Sequence, residues 1–279
     1  MMKREIEKII TGVKGSDGDG VSLTRIIPSP ELDMLDPFLL MDAFNSDKPQ
    51  DYIGGFPAHP HRGFETVTYM LAGKMRHKDS AGNEGVIEAG GVQWMRAAKG
   101  IIHSEMPEQE EGLLSGLQLW VNLPASHKMA EPSYQEMSID QIPEEVRSAD
   151  CSLKVIAGRT QNGTQGVINN NLVDPIYWDI SLSSGAVFMD EIAETHNAFI
   201  YLIEGSLMVG DSRNSMKPKQ FAVLTKGKDI LLEATETSRL LLIAGKPINE
   251  AVERGGPFVM NTREEIKQAF ADYKAGQFA

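Results

Sequence analysis

Two short motifs place four metal-binding side chains at strand spacing: His59 and His61 in FPAHPHRGF, and His103 and Glu105 in KGIIHSEMP. Side chains on an extended strand alternate with a period of two. Each motif therefore points both of its side chains to one face, with Cα atoms roughly 7 Å apart. Three neutral imidazoles and one carboxylate suit a divalent transition metal such as Fe, Mn, Co, Ni, Cu or Zn, whereas Ca and Mg prefer oxygen shells. An isolated HxH occurs often by chance. Here three of the six histidines fall in the two motifs, and glycines (Gly54, Gly55, Gly63, Gly100) flank them. Cys151, the single cysteine, lies far from both motifs in sequence.

The segments that must position these residues read as strands. GLQLWVNL sets Leu117, Leu119, Val121 and Leu123 on one face, and IYWDISL does the same with Ile176, Trp178, Ile180 and Leu182, the pattern of half-buried antiparallel strands. Turn residues punctuate the chain at short intervals: Ser80–Asn83, Gly90-Gly91, Gly163, Ser183–Gly185, Gly205, Gly210-Asp211 and Lys226-Gly227. An all-β sandwich or barrel is expected. The 279 residues suit two domains, and the polar, proline-bearing segment 125–150 reads as the connector between domains 1–130 and 131–279. A short helix is expected near 142–147. ETVTYMLAGKM (65–75) aligns without a gap on NAFIYLIEGSL (197–207), matching Tyr69 with Tyr201 and Gly73 with Gly205, which suggests a duplicated β unit. The metal motifs are not duplicated. Near the C-terminus Thr262 and Glu265 form a capping-box pattern before Ile266, Ala269, Phe270 and Tyr273, the stripe of a helix packed on a sheet.

Composition excludes several functions. The net charge of −12 argues against a surface that tracks nucleic-acid phosphates, and no apolar run approaches the roughly 20 residues that span a bilayer. The N-terminus lacks the apolar core of a secretory signal. One cysteine cannot form an internal disulfide, which fits a reducing compartment; the cytoplasm is expected, or the nucleus in a eukaryote.

The blocks HPHRGFETVTYMLAG, QWMRAAKGIIHSEMP, GLQLWVNLP with MAEPSYQE, and GGPFVMNTREEI resemble the pirin family of the cupin superfamily, over about residues 20 to 275. The resemblance implies a bicupin: two facing antiparallel β-barrels of jelly-roll type with a C-terminal helix. It implies one metal per chain in the N-terminal barrel, Fe(II) first, held by His59, His61, His103 and Glu105, and a metal-free C-terminal barrel. Many cupins instead take the carboxylate four residues after the first HxH, here Glu65. Spacing alone leaves that choice open, because Gly63 could insert a bulge. The resemblance favours Glu105 as ligand and leaves Glu65 as a supporting residue. Arg62 reads as a solvated surface arginine. Several pirins are similar to quercetin 2,3-dioxygenases, which implies a flavonol-like substrate, O2, and release of carbon monoxide. Other pirins resemble regulators of transcription factors or metabolic enzymes, so an iron-dependent protein partner is the alternative.

Overall fold

The structure is a computed structural model that describes residues 3–278. Met1, Met2 and Ala279, at the outer ends of the two expected domains, lie outside the described residues. Contacts divide the chain into two compact units, one built from Val13–Ile139 with Ile248–Ala279 and the other from Met1–Gly12 with Asp140–Pro247. A single cut at 130/131 misses this exchange of chain ends. Its cause is pairing: Ile6–Thr11 takes the edge of the second unit's sheet beside Gln220–Leu224, while the hairpin Glu253–Gly255/Phe258–Met260 and the C-terminal helix stay with the first unit.

Each unit holds one seven-stranded and one four-stranded antiparallel sheet, and the strand orders correspond place for place. In the first unit the large sheet runs Ser133–Met137, Val92–Arg96, Phe64–Ala72, Leu114–Asn122, Phe38–Ser46, Val21–Ile27, Val13–Asp17. In the second it runs Ile6–Thr11, Gln220–Leu224, Asn197–Glu204, Ser238–Gly245, Ile176–Leu182, Cys151–Ala157, Glu144–Ser148. The two segments aligned in the sequence, 65–75 and 197–207, thus hold the same third place. In each, the strand is followed by a glycine at positive φ, Gly73 (79°) and Gly205 (85°), a conformation open to glycine at no steric cost.

The segment expected as connector carries two edge strands. Ser133–Met137 closes one large sheet and Glu144–Ser148 the other. The helix expected at 142–147 is therefore a strand; Glu144–Val146 pairs with Ser152–Lys154, and the Pro143 carbonyl accepts from Val155 N, so ladder bonds replace the helical ones. The helix Arg263–Lys274 begins as its sequence predicts: Thr262 accepts from Glu265 N and Glu265 reaches back to Thr262 N. Ile266 and Ala269 pack with Phe258 and Phe278, while Phe270 and Tyr273 stay partly exposed against the Phe258 ring. No helix among the described residues is long and apolar enough to cross a membrane.

Candidate metal centre

The first unit's small sheet, ordered Phe56–His61, Ile101–Pro107, Lys74–Asp79, Glu84–Glu88, brings the two motifs side by side. His103 lies directly across from His59, and Ile101 from His61. The candidate ligand atoms of His59, His61 and His103 all fall within 4.8 Å of one another, and the three ring centroids are 4.5–4.9 Å apart. Spacing within each strand and register between strands together assemble the cluster.

Its hydrogen bonding is incomplete in a way that points to a cation. His59 donates from Nδ1 to the Pro57 carbonyl at 2.8 Å, which fixes its tautomer and leaves Nε2 a lone pair. Buried His61 keeps Nδ1 without a partner, and buried His103 has both ring nitrogens unpartnered. Buried polar atoms are normally satisfied. Burial, followed by the neighbouring imidazoles, pushes His61 well below the usual histidine range; the same two causes bring His103 down to about 3. Both are neutral at pH 7, the form that binds a metal. Glu105, two residues beyond His103, is also buried, and desolvation raises its carboxyl. The three histidines fit a transition metal with nitrogen donors; Glu105 is not in the group of ligand atoms that lie within 4.8 Å of one another.

Glu105 is held from the opposite sheet. Thr68 donates from Oγ1 to Glu105 Oε1 at 2.8 Å, and Thr68 lies 2.7 Å from Gln118 Oε1. Those two belong to a row of directly opposed residues that crosses the large sheet: Arg25, Asp42, Gln118, Thr68, Gln93, Glu136. The matching row in the second unit, located by the Tyr69–Tyr201 alignment, is Val155, Trp178, Leu242, Ile200, Ala222, Ile9. One copy is polar at all six places and the other apolar at all six. The apolar row belongs to the second unit's core, where the strands matching the metal motifs, Val187–Glu191 and Asp229–Ala234, contain no histidine. The polar row does not stand out in the sequence because Thr68 and Gln118 alternate with apolar residues as they would on a half-exposed strand.

Glu65 is elsewhere. The chain passes from the small sheet to the large one at Gly63 (φ 90°), so His61 and Glu65 do not share a strand. Glu65 lies one step out of phase with Thr66 and Thr68, on the other face, where it accepts from Trp94 Nε1 at 2.8 Å and Arg96 Nε at 2.7 Å. Arg62 is buried at 4% exposure, not solvated; its guanidinium bonds to the Lys99 carbonyl and to Asp272 and stacks on Phe278.

The site opens into a cavity of about 510 Å³ lined by His59, His61, Thr68, Glu105 and Gln118 together with Leu39, Phe44, Phe56, Met75 and Trp120. That size and largely apolar wall suit a small-molecule ligand.

Comparison with known proteins adds the family. The Pirin profile matches residues 20–121, and the profile for the pirin C-terminal cupin domain matches 177–279. The chain belongs to the pirin family. A pirin-like protein of Caulobacter vibrioides is 50% identical over 278 residues, covering 100% of both chains. A Pseudomonas aeruginosa pirin relative, provisionally named a quercetin 2,3-dioxygenase, is 45% identical across 99% of this chain and 98% of its own. The crystal structure of quercetin 2,3-dioxygenase from Acinetobacter baumannii superposes with a TM-score of 0.91 at 33% identity, covering 99% of each chain. The two units of this pirin are cupin-type domains, as expected.

Proposed function

We propose that the protein is a metal-dependent dioxygenase that adds O2 to a flavonol, opening its central ring to an ester and releasing carbon monoxide. The observation that carries this is the convergence of His59, His61 and His103, with unpartnered buried nitrogens on His61 and His103, beside an apolar cavity that His59 and His61 line. The names of the similar proteins support the substrate class. His59, His61, His103 and Glu105 would hold one divalent ion per chain, Fe(II) first, with Mn, Cu, Ni, Co or Zn as alternatives. When bound, the metal supplies positive charge for an ionised substrate oxygen and, if redox-active, access to O2 chemistry. Phe56, Trp120 and Leu39 offer apolar surface to flat rings and displace water from them. Gln118, on the cavity wall, can orient a substrate oxygen by hydrogen bonding.

Quercetin in air should disappear with equimolar oxygen uptake and carbon monoxide release. Free metal oxidises flavonols slowly, so His61→Ala incubated with the same metal is the necessary baseline. Should protein loaded in turn with Fe, Mn, Cu, Ni and Co never exceed that baseline, the dioxygenase reading fails and a binding role takes its place.

Glu105 and Thr68 form a separate test. Thr68→Val removes the donor to Glu105 at nearly constant volume, and loss of such a support typically costs about 10- to 100-fold in metal affinity. Thr68→Ser should restore most of it. Glu105→Gln should change the absorption spectrum of the Co(II) form, whereas Glu65→Gln should leave that spectrum unchanged. A Co(II) spectrum that responds to Glu65→Gln and ignores Glu105→Gln would reverse the assignment.

A further inference from the structure

Two arginines line the cavity, and their charges are balanced differently. Arg25 donates from Nε and Nη2 to Asp42 at 3.0 and 2.7 Å, and from Nη2 to Asp17 at 2.8 Å. Two carboxylates that also line the cavity thus more than neutralise it. Arg254 is paired only loosely: Asp33 Oδ1 lies 3.7 Å away on a side chain that is 86% exposed, and the closer contact, at 3.3 Å, is to the Asp33 carbonyl. An ion pair of that length with a solvated partner is weak. Asp33 itself is not part of the cavity wall. Arg254 therefore retains its attraction for an anion that enters.

A hairpin sets how far that attraction lies from the histidines. Arg254 pairs with Val259 and Gly255 with Phe258, so Gly256 and Pro257 form the turn. The Pro257 carbonyl accepts from the backbone N of Arg62, the residue after His61, at 3.3 Å. Three residues span at most about 10 Å, so the Arg254 Cα stands within that distance of the Pro257 Cα. Arg254, Pro257 and Val259 all face the cavity, as does the indole of Trp120. Arg254 lines the same cavity as His59 and His61, so a molecule held at the histidines can extend towards it.

We propose that Arg254 makes the cavity selective for aromatic substrates bearing two oxygen-rich ends: one presented to the histidine cluster, and an anionic group, such as a carboxylate, sulfonate or ionised phenol, one or two rings away on Arg254. This rests on the reading of the cavity as a substrate site and names the substrate class within it. The test reads binding without turnover. Protein loaded with redox-inert Zn(II) is titrated calorimetrically with a flavonol and with the same flavonol sulfonated on the ring remote from its 3-hydroxyl. The wild type should bind the sulfonate about tenfold more tightly at low salt, a difference of about 1.4 kcal/mol. Arg254→Gln should erase the preference, Arg254→Lys should keep part of it, and added salt should weaken it. Equal affinities in the wild type, a preference that survives Arg254→Gln, or binding of neither compound would overturn the proposal. A protein that prefers the sulfonate yet consumes no oxygen would refute the dioxygenase reading and leave this one standing.

Discussion

His61→Ala and His103→Ala should each strip the protein of its metal, while His196→Ala and His127→Ala should leave one metal per chain. The difference lies in what each ring already touches. His61 and His103 are buried with unpartnered nitrogens that converge with His59. His196 is also buried, but its Nε2 lies 2.8 Å from the Asp174 carbonyl, and the His127 Nδ1 lies 2.9 Å from Ser126 Oγ. Loss of a supporting residue around a metal costs about 10- to 100-fold in affinity, so loss of a direct donor should exceed that range. Stability supplies a second readout. A buried unpaired polar group costs about 1–3 kcal/mol, so removing an imidazole that lacks its metal relieves part of what the lost packing takes away. Metal-free His103→Ala should therefore melt near metal-free wild type. Added metal should raise the Tm of the wild type and leave that of His103→Ala unchanged, because only a protein that binds the ion gains from mass action. Elemental analysis of protein purified without added metal, with melting curves in both states, decides the matter. Full occupancy in both ligand variants, or two metals per wild-type chain, would sink the assignment.

The histidine cluster was legible because strand periodicity is local information. A spacing of two puts His59 with His61 and His103 with Glu105 on common faces whatever the rest of the chain does. The duplication was legible for a similar reason, since Tyr69 and Tyr201 keep equivalent places in equivalent strands. Periodicity does not say what covers a face. Thr68 and Gln118 look like solvent-facing residues until the small sheet is laid over them, and the bond from Thr68 to Glu105 spans two sheets. Glu65 illustrates the converse: spacing from His61 left its face open, and the turn at Gly63 breaks the phase between them. The short polar segment at 142–147 has weak helical preference, and the ladder beside Cys151–Ala157 overrides it. The exchange of chain ends depends on edge pairing between segments more than 200 residues apart, which no window along the sequence contains.

Arg62→Ala should unfasten the C-terminal residues from the strand that carries His59 and His61. Arg62 looked solvent-exposed because the groups that cover it come from residues 272 and 278. Its Nη1 donates to Asp272 Oδ2 at 2.6 Å, its Nε donates to the Lys99 carbonyl, and its plane lies 4.4 Å from the centre of the Phe278 ring. Breaking a buried ion pair from one side costs about 3–5 kcal/mol. Asp272 remains 22% exposed and can be rehydrated, which places the loss near the lower end, at about 3 kcal/mol. Arg62→Lys should not restore it, because an ammonium cannot stack on Phe278 while donating in two directions. The pH dependence has a definite sign. The hydrogen bond from Arg62, then that from Gln268, holds the Asp272 carboxyl below the usual carboxylate range. A carboxyl depressed in the folded state adds stability above its unfolded pKa, about 4, and loses it as pH falls through the folded value. The stability gap between wild type and Arg62→Ala should thus be full at pH 7 and narrow below about pH 4. Hydrogen exchange should locate the damage, with protection lost over residues 56–63 and 258–278 and kept over Ile176–Leu182 in the other unit. Unchanged protection at 258–278, or a gap as wide at pH 3.5 as at pH 7, would show that the Arg62 contacts do not fasten the C-terminus.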